Sequence, residues 1–140
     1  LRYLFGPIPF VPAVVRSQSP RFCQEVGQAL AEALGYRPAA VIASSDFTHY
    51  EPDSVAREKD RRALAHILNL DLGGFLETVN RYRISICGVG AIGILIAFAK
   101  DTGLLGAELL SYRTSGEVVG MLDQVVGYAA VLFREVEDVA

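Results

Sequence analysis

The stretch from Gly88 to Lys100 constrains this chain more than any other. It places apolar residues on nearly every side of a helix, and a helix of that kind is deeply buried. Its longest apolar run, Val89 to Ala99, falls short of the roughly 20 residues needed to span a bilayer. The helix is therefore expected inside a protein core, with no membrane as partner. A chain of 140 residues suits one domain. With 51% hydrophobic and 21% charged residues, it has enough apolar material to bury a core.

Around that helix the pattern alternates. Ile8 to Val15 is apolar but carries Pro9 and Pro12, which suggests an edge or irregular strand. Ser19-Pro20 opens a helix with Phe22, Val26, Ala29, Leu30, Ala33 and Leu34 at helical spacing, and Gly35 closes it. Pro38 to Ala43 reads as a short buried strand. A further helix starts at Pro52 or Asp53, with Ala56, Ala63, Leu64, Ile67 and Leu68 as its core stripe. Asp71 caps the next, with Phe75, Leu76 and Val79 inward, and Arg83 to Cys87 is extended. Glu108–Arg113 and Gln124–Phe133 read as strands of an antiparallel hairpin, punctuated by Thr114-Ser115-Gly116 and Gly120. Strands alternating with helices imply an α/β sandwich with a mixed sheet.

Net charge is −3, from 13 basic and 16 acidic residues, so nothing points to nucleic acid as partner. Arg57, Lys59, Arg61 and Arg62 cluster, but Glu58 and Asp60 interleave with them. That segment reads as a solvated helix face, with Glu58 and Arg62 as an i,i+4 pair. Two cysteines, Cys23 and Cys87, do not make a secreted disulfide framework, and a reducing cytoplasm is expected. The chain opens at Leu1 without Met, and Leu1–Phe5 reads as the tail of a helix. A front half preceding it is the expectation.

The most informative chemistry lies in Val41 to Tyr50, where a strand runs out into Ser44-Ser45-Asp46-Phe47-Thr48-His49. α/β proteins place ligands at strand ends. If the segment makes a helical turn, Asp46 and His49 face the same way and can bind a metal or share a proton. The alternative is that Asp46 caps a turn and His49 packs nearby. Cys87 is either a small buried hydrophobe or, at a helix N-terminus, a stabilised thiolate fit for metal or redox chemistry. Cys23 reads as packing, and His66 as a surface or boundary residue. Gly88-Val89-Gly90-Ala91-Ile92-Gly93 matches G-x-G-x-x-G, a dinucleotide fingerprint when a strand precedes and a helix follows. Its leading strand is brief, the second strand ends in Ser111-Tyr112-Arg113 rather than an acid, and close helix packing explains the small residues equally well.

Taken in order, Ser44-Ser45-Asp46-Phe47-Thr48-His49-Tyr50, Ile86-Cys87-Gly88, Ser115-Gly116 and Val125-Val126-Gly127-Tyr128-Ala129-Ala130 resemble the Memo-like family, also called AmmeMemoRadiSam system protein B. The resemblance covers nearly the whole chain. It implies a three-layer α/β/α sandwich with a mixed sheet, similar to the LigB-type class III extradiol dioxygenases, with the N-terminal part missing. It also implies a cleft holding iron or copper (zinc is chemically possible), in which Asp46, His49 and Cys87 would be metal ligands. The family's two earlier histidines lie in the half this chain lacks, so the 2-His-1-carboxylate set for oxygen activation is not available here and dioxygenase activity from this chain alone is not expected. As partners, the resemblance implies proteins or phosphopeptides. A homo-oligomer or association with a missing N-terminal half is a further expectation, since absent strands expose a sheet edge.

Overall fold

The computed structural model describes residues 2–104 and 106–134. Leu1, the first residue of the expected helix tail, lies outside them; Arg2–Phe5 form a one-turn helix, α1. Helix α2, Pro20–Leu34, starts as its sequence dictates: the Ser19 side chain accepts from the amide of Phe22, Pro20 sits in the first turn, and Gly35 ends it at φ 51°. A three-residue strand β1, His49–Glu51, leads into α3, Asp53–Leu68. The side chain of Asp71 accepts from the Gly74 amide to open α4, Leu72–Arg81. The all-apolar segment becomes α5, Val89–Asp101. Strand β2, Gly106–Thr114, the short helix α6, Gly116–Val119, and strand β3, Val125–Arg134, follow.

The α/β class holds. The sheet has the order β1-β3-β2, and both pairings are antiparallel. The parallel neighbours of a mixed sheet are not among the described residues. The expected hairpin is present, with Gly106 opposite Arg134 and Thr114 opposite Gly127. Helix α3 packs on all three strands, α4 on α3, and α5 on α4 and α2. Phe75 and Ile96 are fully buried where these helices meet. Ala107, Tyr112, Ala129, Val131 and Phe133 pack against that core from the sheet, while Tyr128 and Leu132 on the alternate positions of β3, and Leu110 where the register of β2 shifts, are exposed.

Two expected strands are corrected. Ile8–Val15 and Pro38–Ala43 have no strand assignment, and Phe10, Val11, Val14 and Ile42 are exposed. Apolar runs make strands only when a neighbour takes their backbone groups, and no neighbour does so among the described residues. The charged face of α3 is corrected at one position: Asp60 is fully buried. It falls in line with Ala56, Ala63, Leu64 and Ile67, the other buried residues of that helix, at the i, i+4, i+7 spacing of one helical stripe. Glu58 and Arg62 do pair as expected, at 2.6 Å on the surface.

Candidate metal centre

The segment 46 to 49 buries its middle and leaves its ends accessible. Phe47 and Thr48 are buried, whereas Asp46 and His49 are half-buried. The segment is not a helical turn. The amide of Phe47 donates to the Gly127 carbonyl and the amide of Gly127 to the Thr48 carbonyl, both at 2.9 Å, so it runs beside β3. Just beyond, β1 carries a bulge between the pairs His49–Val126 and Glu51–Val125. Tyr50 occupies it at φ 57°, a left-handed conformation uncommon for a residue with a Cβ. Bulges re-aim neighbouring side chains, and here the neighbour is His49.

The imidazole of His49 is fixed from behind. Its backbone N–H donates to Ser85 Oγ at 2.8 Å, and its Nδ1 lies 2.6 Å from the Ser85 carbonyl oxygen. A carbonyl only accepts, so Nδ1 carries the proton and Nε2 presents its lone pair. That Nε2 faces Asp46 Oδ2 at 3.7 Å, too long for a hydrogen bond. Two donors bound to one tetrahedral ion stand roughly 3.4 Å apart.

Cys87 arrives on the extended segment before α5. Ile84 and Ile86 are buried there and Ser85 and Cys87 are exposed, a period-two alternation. One side of the segment therefore holds His49 through Ser85 and turns the thiol of Cys87 toward Asp46. The amide of Cys87 donates to the Asp46 carbonyl at 3.3 Å, and the amide of Asp46 donates to Cys87 Sγ at 3.1 Å. Gly88 caps the N-terminus of α5, so Cys87 lies beside the end of a helix where negative charge is favoured. The Gly88 amide donates to Ser45 Oγ at 2.8 Å. A Cβ on Gly88 would come within 2.5 Å of the Cβ of Ser45, so glycine is what lets the two segments close on each other.

The three residues singled out in the sequence thus converge: one oxygen of Asp46, one nitrogen of His49 and the sulfur of Cys87 all lie within 4.8 Å of one another. The set fits a borderline or soft transition metal better than magnesium or calcium. Three ligands leave open positions on such an ion. His66 is elsewhere: its Nδ1 meets Asp71 Oδ2 at 2.9 Å and its Nε2 meets Thr78 Oγ1 at 3.0 Å, tying α3 to α4. The Gly74 amide and then His66 hold the Asp71 carboxyl below the usual carboxylate range. Cys23 is buried, as expected from its apolar helix face, with its sulfur 3.8 Å from the Gly90 carbonyl. The glycine motif is close packing. A Cβ on Gly88, Gly90 or Gly93 would run into Ser45, into Ser17 and Val15, or into Cys23 and Leu72 respectively.

Sequence reasoning gave Ser85, Ser45 and Asp60 no role in the site. Ser85 was legible in the alternation of Ile84 and Ile86 around it. Asp60 was legible as a carboxylate on the apolar stripe of α3. Ser45 carries no signal beyond its place beside Asp46. The carboxylate of Asp60 accepts from the Thr48 amide at 3.1 Å, the Thr48 hydroxyl at 2.6 Å and the Tyr112 hydroxyl at 2.7 Å. Burial pushes its carboxyl above the ordinary carboxylate range, and these three donors oppose that shift.

An α/β chain that gathers one carboxylate, one imidazole and one thiol at the rim of its sheet is, as a class, a candidate metal-centre protein. Comparison with known proteins gives the family. The model of the Memo-like protein family matches residues 1–132, and the chain belongs to that family. A MEMO1 family protein of Pyrobaculum aerophilum is 46% identical over 135 residues, covering 95% of this chain and 48% of that protein. A MEMO1 family protein of Methanopyrus kandleri is 46% identical over 138 residues, 96% and 48% of the two chains. One from Methanosarcina barkeri is 42% identical over 135 residues, 94% and 51%. The chain spans about half the length of the curated relatives it matches. No helix among the described residues is long and apolar enough to cross a membrane.

Proposed function

We propose that this chain supplies Asp46, His49 and Cys87 to a transition-metal centre, with iron or copper as the metal and zinc as the closest competitor. The observation that carries the reading is the convergence of three unlike donors within 4.8 Å, from segments about forty positions apart in the chain. His49 binds through Nε2 as neutral imidazole, Cys87 as thiolate and Asp46 through a carboxylate oxygen, so affinity rises with pH. Bound iron or copper would supply redox chemistry at its open positions. Ser85 orients the imidazole, and the hydrogen bond from the Asp46 amide stabilises the thiolate. Oxygen activation of the dioxygenase kind needs a further histidine and is assigned to no assembly of this chain's residues alone. The test is cobalt(II) uptake by the full chain, followed through the thiolate-to-metal absorption band. Uptake at one equivalent that is lost in Cys87→Ala supports the reading; uptake unchanged in Asp46→Ala, His49→Ala and Cys87→Ala removes it.

A second reading, a module binding a protein or phosphopeptide, is favoured by the exposed sheet residues Leu110, Tyr128 and Leu132 and by the segment Pro38–Ala43, which pairs with no strand among the described residues. Association through that open surface, with another copy or with the remaining length seen in relatives, belongs to the same reading. We propose a reducing, cytoplasmic setting as well, a reading supported by the free thiols of Cys23 and Cys87. Peptide binding unaffected by Asp46→Ala in protein that takes up no metal would favour this reading over the first.

A further inference from the structure

We propose that Asp60 is the positioning residue of this centre: its buried carboxylate, accepting from both the amide and the hydroxyl of Thr48, holds the Asp46–His49 segment in the conformation that brings its donors to Cys87. The inference rests on the metal reading above and adds a residue on a different element, α3, that touches none of the three ligands in any hydrogen bond described. A carboxylate in a fully buried position is costly unless its lone pairs are taken up. An apolar side chain would suit the stripe of Ala56, Ala63, Leu64 and Ile67 better, so its presence calls for a task that only an acceptor performs.

The geometry names that task. Between Asp46 and His49 the main chain must turn its two middle residues inward. Phe47 is held by the Gly127 carbonyl, and the Thr48 carbonyl is held by the Gly127 amide. The Thr48 amide points the other way, toward α3, where Asp60 Oδ1 takes it at 3.1 Å together with the hydroxyl at 2.6 Å. Thr48 is thereby pinned on both sides, and Asp46 and His49, at the two ends of the segment, are left half-buried with their donor atoms near Cys87. The other oxygen of Asp60 accepts from the Tyr112 hydroxyl of β2 at 2.7 Å, which satisfies the rest of the buried carboxylate while the contact to Thr48 comes from α3 itself. Gly127 completes the arrangement: a Cβ there would overlap the Asp60 carboxylate and stand 2.9 Å from the Tyr112 hydroxyl and 3.2 Å from the Cβ of Phe47. The sheet leaves out a side chain at the point where the carboxylate enters.

The test compares Asp60→Ala, Asp60→Asn, Thr48→Val and Tyr112→Phe in the full chain, with cobalt(II) as probe. Asp60→Asn keeps an oxygen acceptor for Thr48; Tyr112→Phe cuts the same carboxylate loose from β2 without touching the ligand segment. Expected are an affinity lowered at least about tenfold, the size typical of lost support to a metal ligand, and a weakened thiolate-to-cobalt band in Asp60→Ala and Thr48→Val. Asp60→Asn and Tyr112→Phe should stay within about threefold of wild type with the same spectrum. If Asp60→Ala fails to fold, Thr48→Val and Asp60→Asn decide. Wild-type affinity in folded Asp60→Ala or in Thr48→Val overturns the inference, as does equal loss in Tyr112→Phe, which would make the effect one of general stability. If wild type takes up no cobalt, the metal reading fails by itself. Amide exchange then judges Asp60: protection lost at Thr48 and His49 in Thr48→Val, with α5 unchanged, supports the role, and unchanged protection overturns it.

Discussion

Gly88→Ala tests how closely the two halves of the centre must approach. The added Cβ would sit 2.5 Å from the Cβ and 2.6 Å from the Oγ of Ser45, and 3.0 Å from the Ser44 carbonyl. Packed carbons keep about 3.5–4.0 Å, so the segments at 44–46 and 87–88 must part by roughly 1 Å. Gly88 has φ −104°, which alanine adopts freely, so the effect is steric and carries no backbone strain. Overpacking of this kind costs about 1–3 kcal/mol of stability. Metal sites hold their distances to roughly 0.2 Å, and a 1 Å opening between Asp46 and Cys87 exceeds that several-fold. The expected loss of metal affinity is about 10–100-fold, or about 1.4–2.7 kcal/mol of binding. Cobalt titration at 25 °C reads the affinity, and thermal unfolding of the same sample reads the stability. A folded Gly88→Ala protein that binds cobalt as wild type does would refute the close-approach argument.

Three further outcomes are expected. In Gly27→Ala the new Cβ would stand 2.6 Å from the Cβ of Ala97 and 2.8 Å from the Phe98 amide, forcing α2 off α5. Urea unfolding should show a loss of about 1–3 kcal/mol, partly offset by roughly 1 kcal/mol of helix propensity; a more stable variant would contradict the packing. Asp71→Ala removes the side chain that accepts from the Gly74 amide at 2.9 Å and should cost about 1 kcal/mol by the same assay, an unchanged midpoint being the contrary result. Because Asp71 and Asp53 are held below the usual carboxylate range, by Gly74 and His66 and by Arg57 and Thr114 respectively, their folded forms bind protons less readily than the unfolded chain does. Their stabilisation is complete above the ordinary carboxylate pKa of about 3.9 and is lost as pH falls through the lower folded values. Asp71→Asn should flatten the acid limb of a stability–pH curve, and an equally steep limb would show that Asp71 does not contribute to it.

The helices were legible because each carries its own punctuation. Ser19-Pro20 and Gly35 bracket α2, Asp71 caps α4, and the unbroken apolar surface of α5 admits no place but the core. The β2–β3 hairpin was legible from period and turn residues. Pro38–Ala43 was not, because its composition says apolar and extended, while strand status depends on a neighbour that no local pattern records. The three donors were visible one by one, but their meeting depends on the bulge at Tyr50 and the alternation at Ile84–Cys87. The G-x-G-x-x-G spacing was visible too and meant something else, since small residues serve helix packing and phosphate approach alike. Asp60 was legible only through the helical period. Arg57, Glu58, Lys59, Arg61 and Arg62 make a charged run in sequence, and only the helical period separates the one inward carboxylate from five outward charges.

The most direct measurement is metal content by elemental analysis after anaerobic iron(II) loading and desalting, for wild type, Asp46→Ala, His49→Ala and Cys87→Ala, each shown folded by circular dichroism. The expected result is close to one equivalent in wild type and a small fraction of that in each variant. Equal metal in all four proteins, or none in wild type, would contradict a centre built from these residues.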